Sequence, residues 1–412
     1  MKTERYKYED MIKFGRDVLV KIGFSEADAL ITSKILVEAD LRDIHSHGIA
    51  GGSSLGDIVD KKEKGGIVIE EPIVLKPQKY SAIFNINANG GLGHVATDLA
   101  CDLVIERAKE IGYAKAFIFN SSHFGIAGYY SEKIAKQDLA GRVSCTSPIW
   151  TRPFIESGVY KGVQKRLGTN PIAWSIPYEG GILTLDIATT QRAVSPAIKI
   201  AEDNYAKLLR LKEKTGIDYI SNIDKIQGRV AIGQGKYQEI QEQLRKNLET
   251  RLEELPRQYI LDQNGKEVKF PLRFNNYFKQ NFWIAPLGGT VFGYKGFILN
   301  LLVEMDNIIG GGNPNPIPSG DQTPAGRVSQ TVEAYCIDSL RPLEQVKKDL
   351  KYAVEVTIVA GGSCMKLPGQ KEHEHTSERI VKGIPYSVEQ IDKLVGIEKK
   401  VGVTFEAKPI IS

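Results

Sequence analysis

Two histidines lie one residue apart in the stretch DIHSHGIAGG, which occupies positions 43–52. The second of them, His47, precedes a glycine-rich segment, and another histidine, His123, lies among small residues in NSSHFG. Imidazole is the side chain best matched to proton transfer near neutral pH, and small neighbouring residues leave room for a ligand. His47 and His123 are therefore candidate acid/base groups, although a single histidine of this kind is more often structural.

The spacing of His45 and His47 does not predict a metal site. Side-chain alternation tends to point the two rings apart, and neither an H-E-x-x-H pattern nor a cluster of carboxylates accompanies them. The four cysteines show no C-x-x-C spacing, which favours reduced core thiols over a disulfide framework or a cysteine metal site. They are Cys101, Cys145, Cys336 and Cys364.

Polar side chains end two apolar strand candidates, RLGTNPIAWSIP (166–177) and LTLDIATTQRA (183–193). The ends of strands are where α/β sheets present ligand contacts. Asp186 interrupts the second strand, and a carboxylate at such a place needs a partner. Two interpretations remain open: Asp186 orients an imidazole, or it accepts hydrogen bonds from the amides of Ala188 or Thr189 within a turn.

The stretch GLGHVA (91–96) fits the pattern G-x-G-x-x-A between a strand candidate and a helix candidate. The pattern is weak evidence for a dinucleotide-binding turn, because the acidic residue expected about 20 positions further on is missing. We interpret it as a tight turn that lets a helix pack closely on the sheet. His94 lies within this turn, and we expect it to cap the following helix.

Apolar residues at helical spacing predict helices over 7–22 and 25–41, the second starting with a capping box of Ser25 and Asp28. Strand and helix candidates then alternate through the middle of the chain, which predicts an α/β core. The strand candidates are 80–86, 115–120, RVSCTSP, IAWSIP and GILTLDIA, with a long amphipathic helix over 97–112.

The later part of the chain has a different pattern. The segment 199–279 is charged and poor in strand signals, and an apolar stripe within it predicts a helix that Pro256 ends. The stripe consists of Ile240, Leu244, Leu248, Leu252 and Leu255. Further predicted elements are a buried helix over 293–312, a long loop over 313–326, a strand over 353–362, and a polar loop with His373 and His375 before a short C-terminal helix within 366–385.

Charge and hydropathy exclude several classes of protein. The chain of 412 residues has 54 lysines and arginines against 50 aspartates and glutamates, interspersed without long blocks of one sign, so nucleic acid is not an expected partner. No run of 18 apolar residues and no signal-peptide pattern occurs, which predicts a cytoplasmic protein that does not contact a membrane.

The set HSHG, GLGHVA, NSSHFGIAGYY, LGTNP, LDIATT, GYKGFILNLLVE and KLPGQ, in this order, resembles the non-Rossmann family of malate/L-lactate dehydrogenases. Ureidoglycolate, sulfolactate, diketogulonate and imino-acid oxidoreductases belong to the same family. The resemblance covers roughly residues 5–200 and 283–405. It implies an α/β mixed-sheet fold particular to the family and NAD- or NADP-dependent hydride transfer at C2 of a small 2-hydroxy or 2-oxo acid, in a homodimer or higher homo-oligomer.

The resemblance also implies roles for individual residues. His47 matches the family's acid/base, with Asp186 as its orienting carboxylate, and His123 matches a second active-site histidine that some members use as the acid/base. The positions that match cofactor contacts are Ser46, Thr169, Asn170, Thr189, Thr190 and Lys295. The implied domains are residues 1–75 with 340–412 on the substrate side, 76–200 with 280–339 for the nucleotide, and a charged, largely helical insertion over 201–279.

The chain departs from the family pattern at several positions. Gly51 replaces the arginine that grips the substrate carboxylate, Leu55 replaces a bulky residue, and Ser195 with Pro196 replaces a glycine-lysine turn. Arg192, Arg142 or a residue of a partner subunit are candidates to replace the arginine. The segment 203–262 is longer than the family's usual connection and suits a lid, a subunit contact or a partner-binding arm.

These departures leave alternatives open for the function. A cyclic imino acid is an alternative substrate, with His47 and Asp186 as proton donor. A dehydrogenase-like binding protein without turnover is the non-enzymatic alternative, and the loss of the arginine at Gly51 is the feature in its favour. The retention of His47, His123, Asp186 and Lys295 speaks against that reading. The sequence does not decide between NAD and NADP.

Overall fold

The structure is a computed structural model that describes residues 3–52, 54–75, 82–218, 234–246, 252–269, 271, 281–312, 328–362 and 365–410. The predicted loop 313–326 and Cys364 lie outside the described residues.

A seven-stranded mixed sheet forms the centre of the described fold, with the strand order β2-β3-β4-β10-β5-β6-β7. Only β3 and β4 pair in parallel among its described strands, so the sheet differs from the all-parallel sheet of a Rossmann fold. The mixed α/β fold that the sequence predicted is confirmed. The strands are β2 (Ile73–Leu75), β3 (Ile83–Asn87), β4 (Tyr113–Ser121), β5 (Leu139–Cys145), β6 (Ile172–Tyr178), β7 (Gly181–Ile187) and β10 (Val328–Cys336).

Two helices cover one face of this sheet, α4 (Gly93–Ile111) against β4 and β10, and α5 (Ala127–Ala135) against β5, β6 and β7. The small and branched residues of α4 and α5 that point inward include Ala100, Val104 and Ile134, and they pack on strand residues such as Val332. Close packing of this kind places the loops that precede α4 and α5 side by side at one end of the sheet.

A second core joins the two ends of the chain. Helices α1 (Tyr8–Lys21), α2 (Glu26–Leu41) and α3 (Leu55–Glu63) pack near α10 (Gln370–Lys382) and α11 (Val388–Val401). The N-terminal strand β1 (Thr3–Tyr6) pairs with β11 (Ile384–Ser387). Ser25 caps α2, since its hydroxyl accepts a hydrogen bond from Asp28 N at 3.1 Å as the sequence predicted. The second core holds the end of α2, from which the chain continues to the histidine pair.

Helix α8 (Gly293–Ile309) corrects the prediction of a buried helix. Its inner face is largely polar and carries Asn300 and Glu304, both fully buried, whereas its outer face exposes Ile298 by 59%, Leu302 by 52% and Ile309 by 76%. A helix that is apolar almost all round gives no signal of which side faces inward, and here polar partners on the protein decide it.

The prediction for the stripe around 240–255 is only partly right. Helix α6 (Ser195–Thr215) precedes α7 (Gln234–Lys246), and α7 does not reach Leu252 or Leu255, which lie in irregular backbone. Leu248 lies outside the described residues. Residues 255–269 form a β-hairpin instead, because Leu255 N donates to the carbonyl of Lys269 at 2.8 Å and Val268 N donates to the carbonyl of Ile260 at 2.9 Å. The strand β8 (Ile260–Leu261) in this hairpin also pairs with β9 (Trp283–Ile284).

Two predictions near the C-terminus are wrong. The stretch 353–362 belongs to helix α9 (Leu343–Gly361) and is not a strand. Its β-branched residues alternate as in a strand, yet Tyr352, Val356 and Val359 also recur at helical spacing, and in the structure they form an exposed face of the helix. His373 and His375 lie on helix α10 and not in a loop.

No helix among the described residues is both long and apolar enough to span a lipid bilayer.

Candidate active site

A buried carboxylate shapes the loop that carries the histidine pair. Asp40, fully buried in the last turn of α2, accepts hydrogen bonds from Ile49 N at 2.8 Å and from the Tyr386 hydroxyl at 2.9 Å. Its other oxygen lies 2.8 Å from Nδ1 of His45. His45 is therefore a structural residue that fixes the loop, and sequence reasoning missed Asp40 because it reads as an ordinary helix residue.

Helix α10 closes the loop from the other side. The guanidinium of Arg379 donates hydrogen bonds to the Asp43 carboxylate and to the Asp40 carbonyl, and it lies 3.3 Å from Nε2 of His45. Asp43 has a φ of 66°, in the left-handed region, and this bend turns the chain from α2 toward His47. The pKa of Asp43 stays below its usual value even though burial opposes it, because Arg379 donates to the carboxylate.

The structure brings His47 and His123 together. Their rings stack with centroids 5.2 Å apart and planes at 28°, and both side chains are partly exposed. Ser46 Oγ lies 2.8 Å from Nδ1 of His47. The predicted pair of imidazoles therefore shares one open site, although the two loops are separated by more than 70 positions in the sequence.

The hydrogen bonds fix the tautomer of His123 and permit a different tautomer for His47. Gly125 N donates to Nδ1 of His123 at 3.2 Å, so the proton of the neutral His123 ring lies on Nε2. His123 can therefore donate a hydrogen bond from Nε2, but it has no lone pair there to act as a base. His47 can donate from Nδ1 to the Ser46 hydroxyl, which leaves its Nε2 lone pair free to accept a proton.

Desolvation by the surrounding protein keeps the two partly exposed imidazoles neutral. It lowers the pKa of His47 to about 4. The pKa of His123 lies well below its usual value, first because of burial and then because of His47, His94 and Lys61. Neutral rings at pH 7 suit one proton acceptor and one hydrogen-bond donor.

His94 extends the row of rings, with its centroid 6.4 Å from that of His123. It is buried in the first turn of α4, and neither ring nitrogen has a hydrogen-bond partner among the described residues. The prediction that His94 caps the helix is wrong, because Leu92 occupies the cap position. Burial and the nearby His47 lower the pKa of His94 to about 3.

Within the described part of the chain, Asp186 forms no hydrogen bond with an imidazole or with the amides of Ala188 and Thr189. Its Oδ2 accepts a hydrogen bond from Gly128 N at 2.7 Å, at the start of α5, where a helix favours negative charge. Asp186 is exposed at the surface of the chain, and the neighbouring protein atoms raise its pKa to about 6 by displacing part of the water around the carboxylate. Among the described residues, the hydrogen-bond partner of His47 Nδ1 is Ser46 rather than Asp186.

The candidate cofactor positions on the two strand ends form one hydrogen-bonded group. Thr189 N donates to the carbonyl of Thr169 at 3.0 Å, and Thr189 Oγ1 donates to the carbonyls of Thr169 and Asn170, each at 3.0 Å. Thr190 is also buried, and its hydroxyl donates to the carbonyl of Arg192. The side chains of Asn170, Thr189 and Thr190 therefore form hydrogen bonds with the protein backbone. Only Thr169 of this group is partly exposed.

Helix α8 supports the same group from behind. Asn170 Nδ2 donates to Asn300 Oδ1 at 2.8 Å, and Asn300 Nδ2 donates to the carbonyl of Gly168 at 2.8 Å. Glu304 pairs with Arg166 at 2.8 Å. The exposed Lys295 lies in the first turn of this helix, 5.9 Å from the Tyr294 ring centroid. Lys295 and the 169–170 loop therefore depend on one helix for their relative placement.

The turn at Gly51 leaves no room for a side chain. A Cβ on Gly51 would lie 2.6 Å from the carbonyl oxygens of both His45 and Ser46. Ser54 Oγ closes the turn by donating to the Gly51 carbonyl at 2.6 Å. An arginine is therefore sterically excluded at position 51 in this conformation.

Of the two arginines considered as replacements, Arg142 contacts neighbouring strand residues, whereas Arg192 is exposed near the 255–269 hairpin. Arg142 lies 3.8 Å from Glu333 and also interacts with Tyr335, both on the neighbouring strand β10. Arg192 is exposed, and its charge acts on Tyr259 in the 255–269 hairpin. The charge of Lys61 on α3 contributes to lowering the pKa of His123, and the Lys61 ammonium pairs with Asp57 at 2.8 Å. No group of three metal-ligating side chains converges within the described part of the chain.

Comparisons with known proteins place the chain among dehydrogenases. The family model described as malate/L-lactate dehydrogenase matches residues 6–206. The L-sulfolactate dehydrogenase of Methanocaldococcus jannaschii is 30% identical over 326 residues, which cover 79% of this chain and 75% of that protein. The malate dehydrogenase of Pyrococcus horikoshii is 28% identical over 399 residues, covering 94% of this chain and 92% of that protein.

Solved structures share the fold. The malate dehydrogenase from Pyrococcus horikoshii OT3 superposes with a TM-score of 0.72 over 98% of this chain and 97% of that chain, at 24% identity. The delta1-piperideine-2-carboxylate reductase from Pseudomonas syringae superposes with a TM-score of 0.70 over 96% of this chain and all of that chain (100%), at 20% identity.

Proposed function

The chain belongs to the malate/L-lactate dehydrogenase family of NAD(P)-dependent oxidoreductases, and on this basis we propose that it transfers a hydride at C2 of a 2-hydroxy or 2-oxo acid, with His47 as the acid/base. The observation that carries the proposal is the stacked pair of neutral imidazoles, one able to accept a proton and the other able to donate a hydrogen bond.

The two rings have separate tasks in this proposal. In the oxidation direction, His47 Nε2 takes the proton of the substrate hydroxyl, and Ser46 stabilises the resulting imidazolium through the hydrogen bond at Nδ1. His123 donates from Nε2 to the same oxygen as it becomes a carbonyl, and in the reduction direction this contact polarises the carbonyl. When bound, the nicotinamide supplies the hydride acceptor or donor.

Asp186 has a different task from the one the family resemblance implied. Since its carboxylate accepts from Gly128 N, we assign it to fixing the start of α5 and the small-residue loop after His123.

The described residues fit a dinucleotide on the side of the 169–170 loop. Thr169 is partly exposed, with its hydroxyl 2.9 Å from Ser147 Oγ, and the exposed Lys295 lies in the first turn of α8, where a helix favours a phosphate. Asn170, Thr189 and Thr190 would act by holding the loop, because their side chains are buried and bonded to protein. This arrangement supports residues 76–200 with 280–339 as the nucleotide side of the protein.

We also propose a homodimer in the cytoplasm. The outer face of α8 is apolar and exposed at Ile298, Leu302 and Ile309, and exposed apolar patches of this kind mark protein–protein contacts. Buried free thiols at Cys101 and Cys145 favour a reducing compartment.

Assays with purified protein test the proposed function. Turnover of 2-oxo acids such as oxaloacetate or sulfopyruvate with NADH or NADPH supports it, whereas turnover of cyclic imino acids alone would favour the reductase alternative. His47→Ala should abolish hydride transfer, with a loss of at least about a hundredfold in kcat, while nucleotide still binds. His373→Ala, on the exposed face of α10, serves as the matched control and should leave kcat unchanged.

Nucleotide binding without turnover of any such substrate would favour the non-enzymatic alternative. Unchanged turnover in the His47→Ala variant would exclude His47 as the acid/base.

A further inference from the structure

Gln258 adopts a backbone conformation that residues with side chains seldom adopt. Its φ is 53°, in the left-handed region. Two contacts maintain this conformation: Gln258 N donates to Glu267 Oε1 at 2.7 Å, and Gln258 Oε1 accepts a hydrogen bond from Thr290 N at 3.0 Å. Strain that surrounding contacts maintain is a signal of function.

The partner of this side chain is the turn that precedes α8. Gly289 has a φ of 68°, and a Cβ at that position would lie 1.7 Å from Gln258 Oε1. The amide of Gln258 therefore fills the space that a side chain on Gly289 would need. Thr290 N donates a hydrogen bond to the amide oxygen of Gln258, and this contact holds the turn and the glutamine side chain in place.

The turn continues directly into the helix start that carries Lys295. Lys295 N donates to the carbonyl of Phe292 at 3.1 Å, and Gly296 N donates to the carbonyl of Leu287 at 3.2 Å. A Cβ on Gly296 would lie 2.4 Å from Leu287 N and O, so helix and turn are in close contact. A shift of the turn at Gly289 would therefore move the first turn of α8.

The hairpin 255–269 is also connected to Thr169 and Thr189, because the segment 285–287 forms backbone hydrogen bonds with both the hairpin and Thr189. Ala285 N donates to the carbonyl of Tyr259 at 3.1 Å, and Leu287 N donates to the carbonyl of Thr189 at 3.0 Å. Thr189 N in turn donates to the carbonyl of Thr169. The Tyr259 hydroxyl adds a hydrogen bond to the carbonyl of Ala193. The hairpin thus touches both groups of candidate nucleotide contacts, and no contact joins it to the His47 and His123 rings among the described residues.

We propose that Gln258 is a positioning residue for the nicotinamide nucleotide, acting through Thr290 and the turn that starts α8. The inference rests on the proposed function and adds a residue that neither the sequence motifs nor the family resemblance single out. It separates two properties of the site. Gln258 sets how tightly the nucleotide binds, and the histidine pair sets the proton chemistry.

Gln258→Gly is the variant that isolates the side-chain contact. Glycine adopts a positive φ freely, so the backbone conformation is retained while the acceptor for Thr290 N is lost. Gln258→Asn is the conservative variant, because asparagine tolerates the left-handed region but is one methylene too short to reach Thr290. Asn264→Gly, at the exposed tip of the same hairpin, is the matched control.

The measurements are the Kd of NADH and of NADPH by fluorescence titration, the nucleotide KM, and the pH profile of kcat. We expect Gln258→Gly to weaken nucleotide binding by about fivefold, the effect of one lost neutral hydrogen bond, with a matching rise in nucleotide KM. The pH profile and kcat at saturating nucleotide should not change. Gln258→Asn should weaken binding to a similar extent, and Asn264→Gly should bind as the unaltered protein does.

Several results would overturn the inference. Unaltered nucleotide Kd in folded Gln258→Gly or Gln258→Asn would remove the positioning role, and so would an equal loss in Asn264→Gly, which would indicate a general disturbance of the hairpin. If the unaltered protein binds neither NADH nor NADPH, the proposed function itself fails. The two failures are therefore distinguishable, and if Gln258→Gly does not fold, the asparagine variant decides.

Discussion

The imidazoles of His47 and His123 stack at 5.2 Å, yet Ser46 contacts Nδ1 of the first and Gly125 N donates to Nδ1 of the second. These different neighbours give two chemically equivalent side chains unequal abilities. Only His47 can present an unprotonated Nε2 to a substrate hydroxyl when both rings are neutral.

The desolvation of the partly exposed His47 ring predicts an unusual pH dependence of catalysis. Because burial lowers its pKa to about 4, the ring should remain a competent base well below the usual histidine range. We expect kcat/KM for oxidation of the hydroxy acid to fall only as the pH approaches about 4. The profile of kcat/KM against pH tests this, and an acid limb near the ordinary value of 6.5 would contradict it.

His94 should make the protein sensitive to acid. Its pKa falls from 6.5 in the unfolded chain to about 3 in the folded protein, so the unfolded state binds one more proton between these values. Stability contributed by the neutral ring is therefore lost as the pH falls through this window. His94→Phe removes a buried ring with two unpartnered nitrogens and should unfold at higher denaturant than the parent at about pH 5, with a smaller difference at pH 7.

Denaturant unfolding at the two pH values measures this effect. An equal shift at both values would show that His94 titrates no differently in the folded and unfolded protein.

Any side chain at position 51 should destabilise the histidine loop. Both Gly51→Ala and Gly51→Arg place a Cβ against two carbonyl oxygens, and we expect a loss of about 1–3 kcal/mol in the free energy of unfolding. Gly396→Ala is the matched control, since no heavy atom lies within 4 Å of its Cβ position in the middle of α11, and it should gain about 0.5–1 kcal/mol. Thermal unfolding measures both, and a stable Gly51→Arg variant with improved substrate affinity would contradict the steric argument.

Lys61 should contribute to the affinity for an anionic substrate. Its charge is one of the influences that lower the pKa of His123, after burial and the two other histidines. Lys61→Met should raise the pKa of His123 and raise the KM of a 2-oxo acid by up to about fivefold, as expected for a partly exposed charge. Lys62→Met, on the next position of α3, is the control. An NMR titration of the ring and steady-state kinetics would show whether the two lysines differ.

The outer face of α8 should be a subunit contact. Leu302→Asp adds a charge to this face without entering the core, because the residue is already half exposed, so the protein should fold but have a smaller mass in solution. Val20→Asp, on the exposed face of α1, is the matched control. Sedimentation velocity provides the masses, and an unchanged mass for Leu302→Asp would place the contact elsewhere.

Local patterns in the sequence predicted most of the regular elements. Helix α2 with its Ser25 cap and strand β7 appear in the structure as predicted, because each depends on neighbours within a few positions. The prediction of a strand over 353–362 is wrong because its β-branched residues fit both the two-residue period of a strand and the 3.6-residue period of a helix. The segment continues a helix that begins at Leu343.

The parts of the site that sequence reasoning could not predict depend on contacts between distant positions. The pairing of Asp186 with Gly128 joins residues 58 positions apart, and the contact of Gln258 with Thr290 joins residues 32 positions apart. The family resemblance predicts roles for His47 and His123, but it does not predict the orientation of their hydrogen bonds, which depends on the residues around each ring.

Helix α8 buries polar residues and exposes apolar ones, and this arrangement has a consequence for the residues that the helix supports. The 17 residues from Gly293 to Ile309 form one helix. One side of it is hydrogen-bonded to Asn170, and the other side exposes apolar side chains. Whatever covers that outer side is thus separated from the Asn170 loop only by the width of one helix. A molecule that binds the outer side of α8 and shifts the helix would therefore also shift the Asn170 loop.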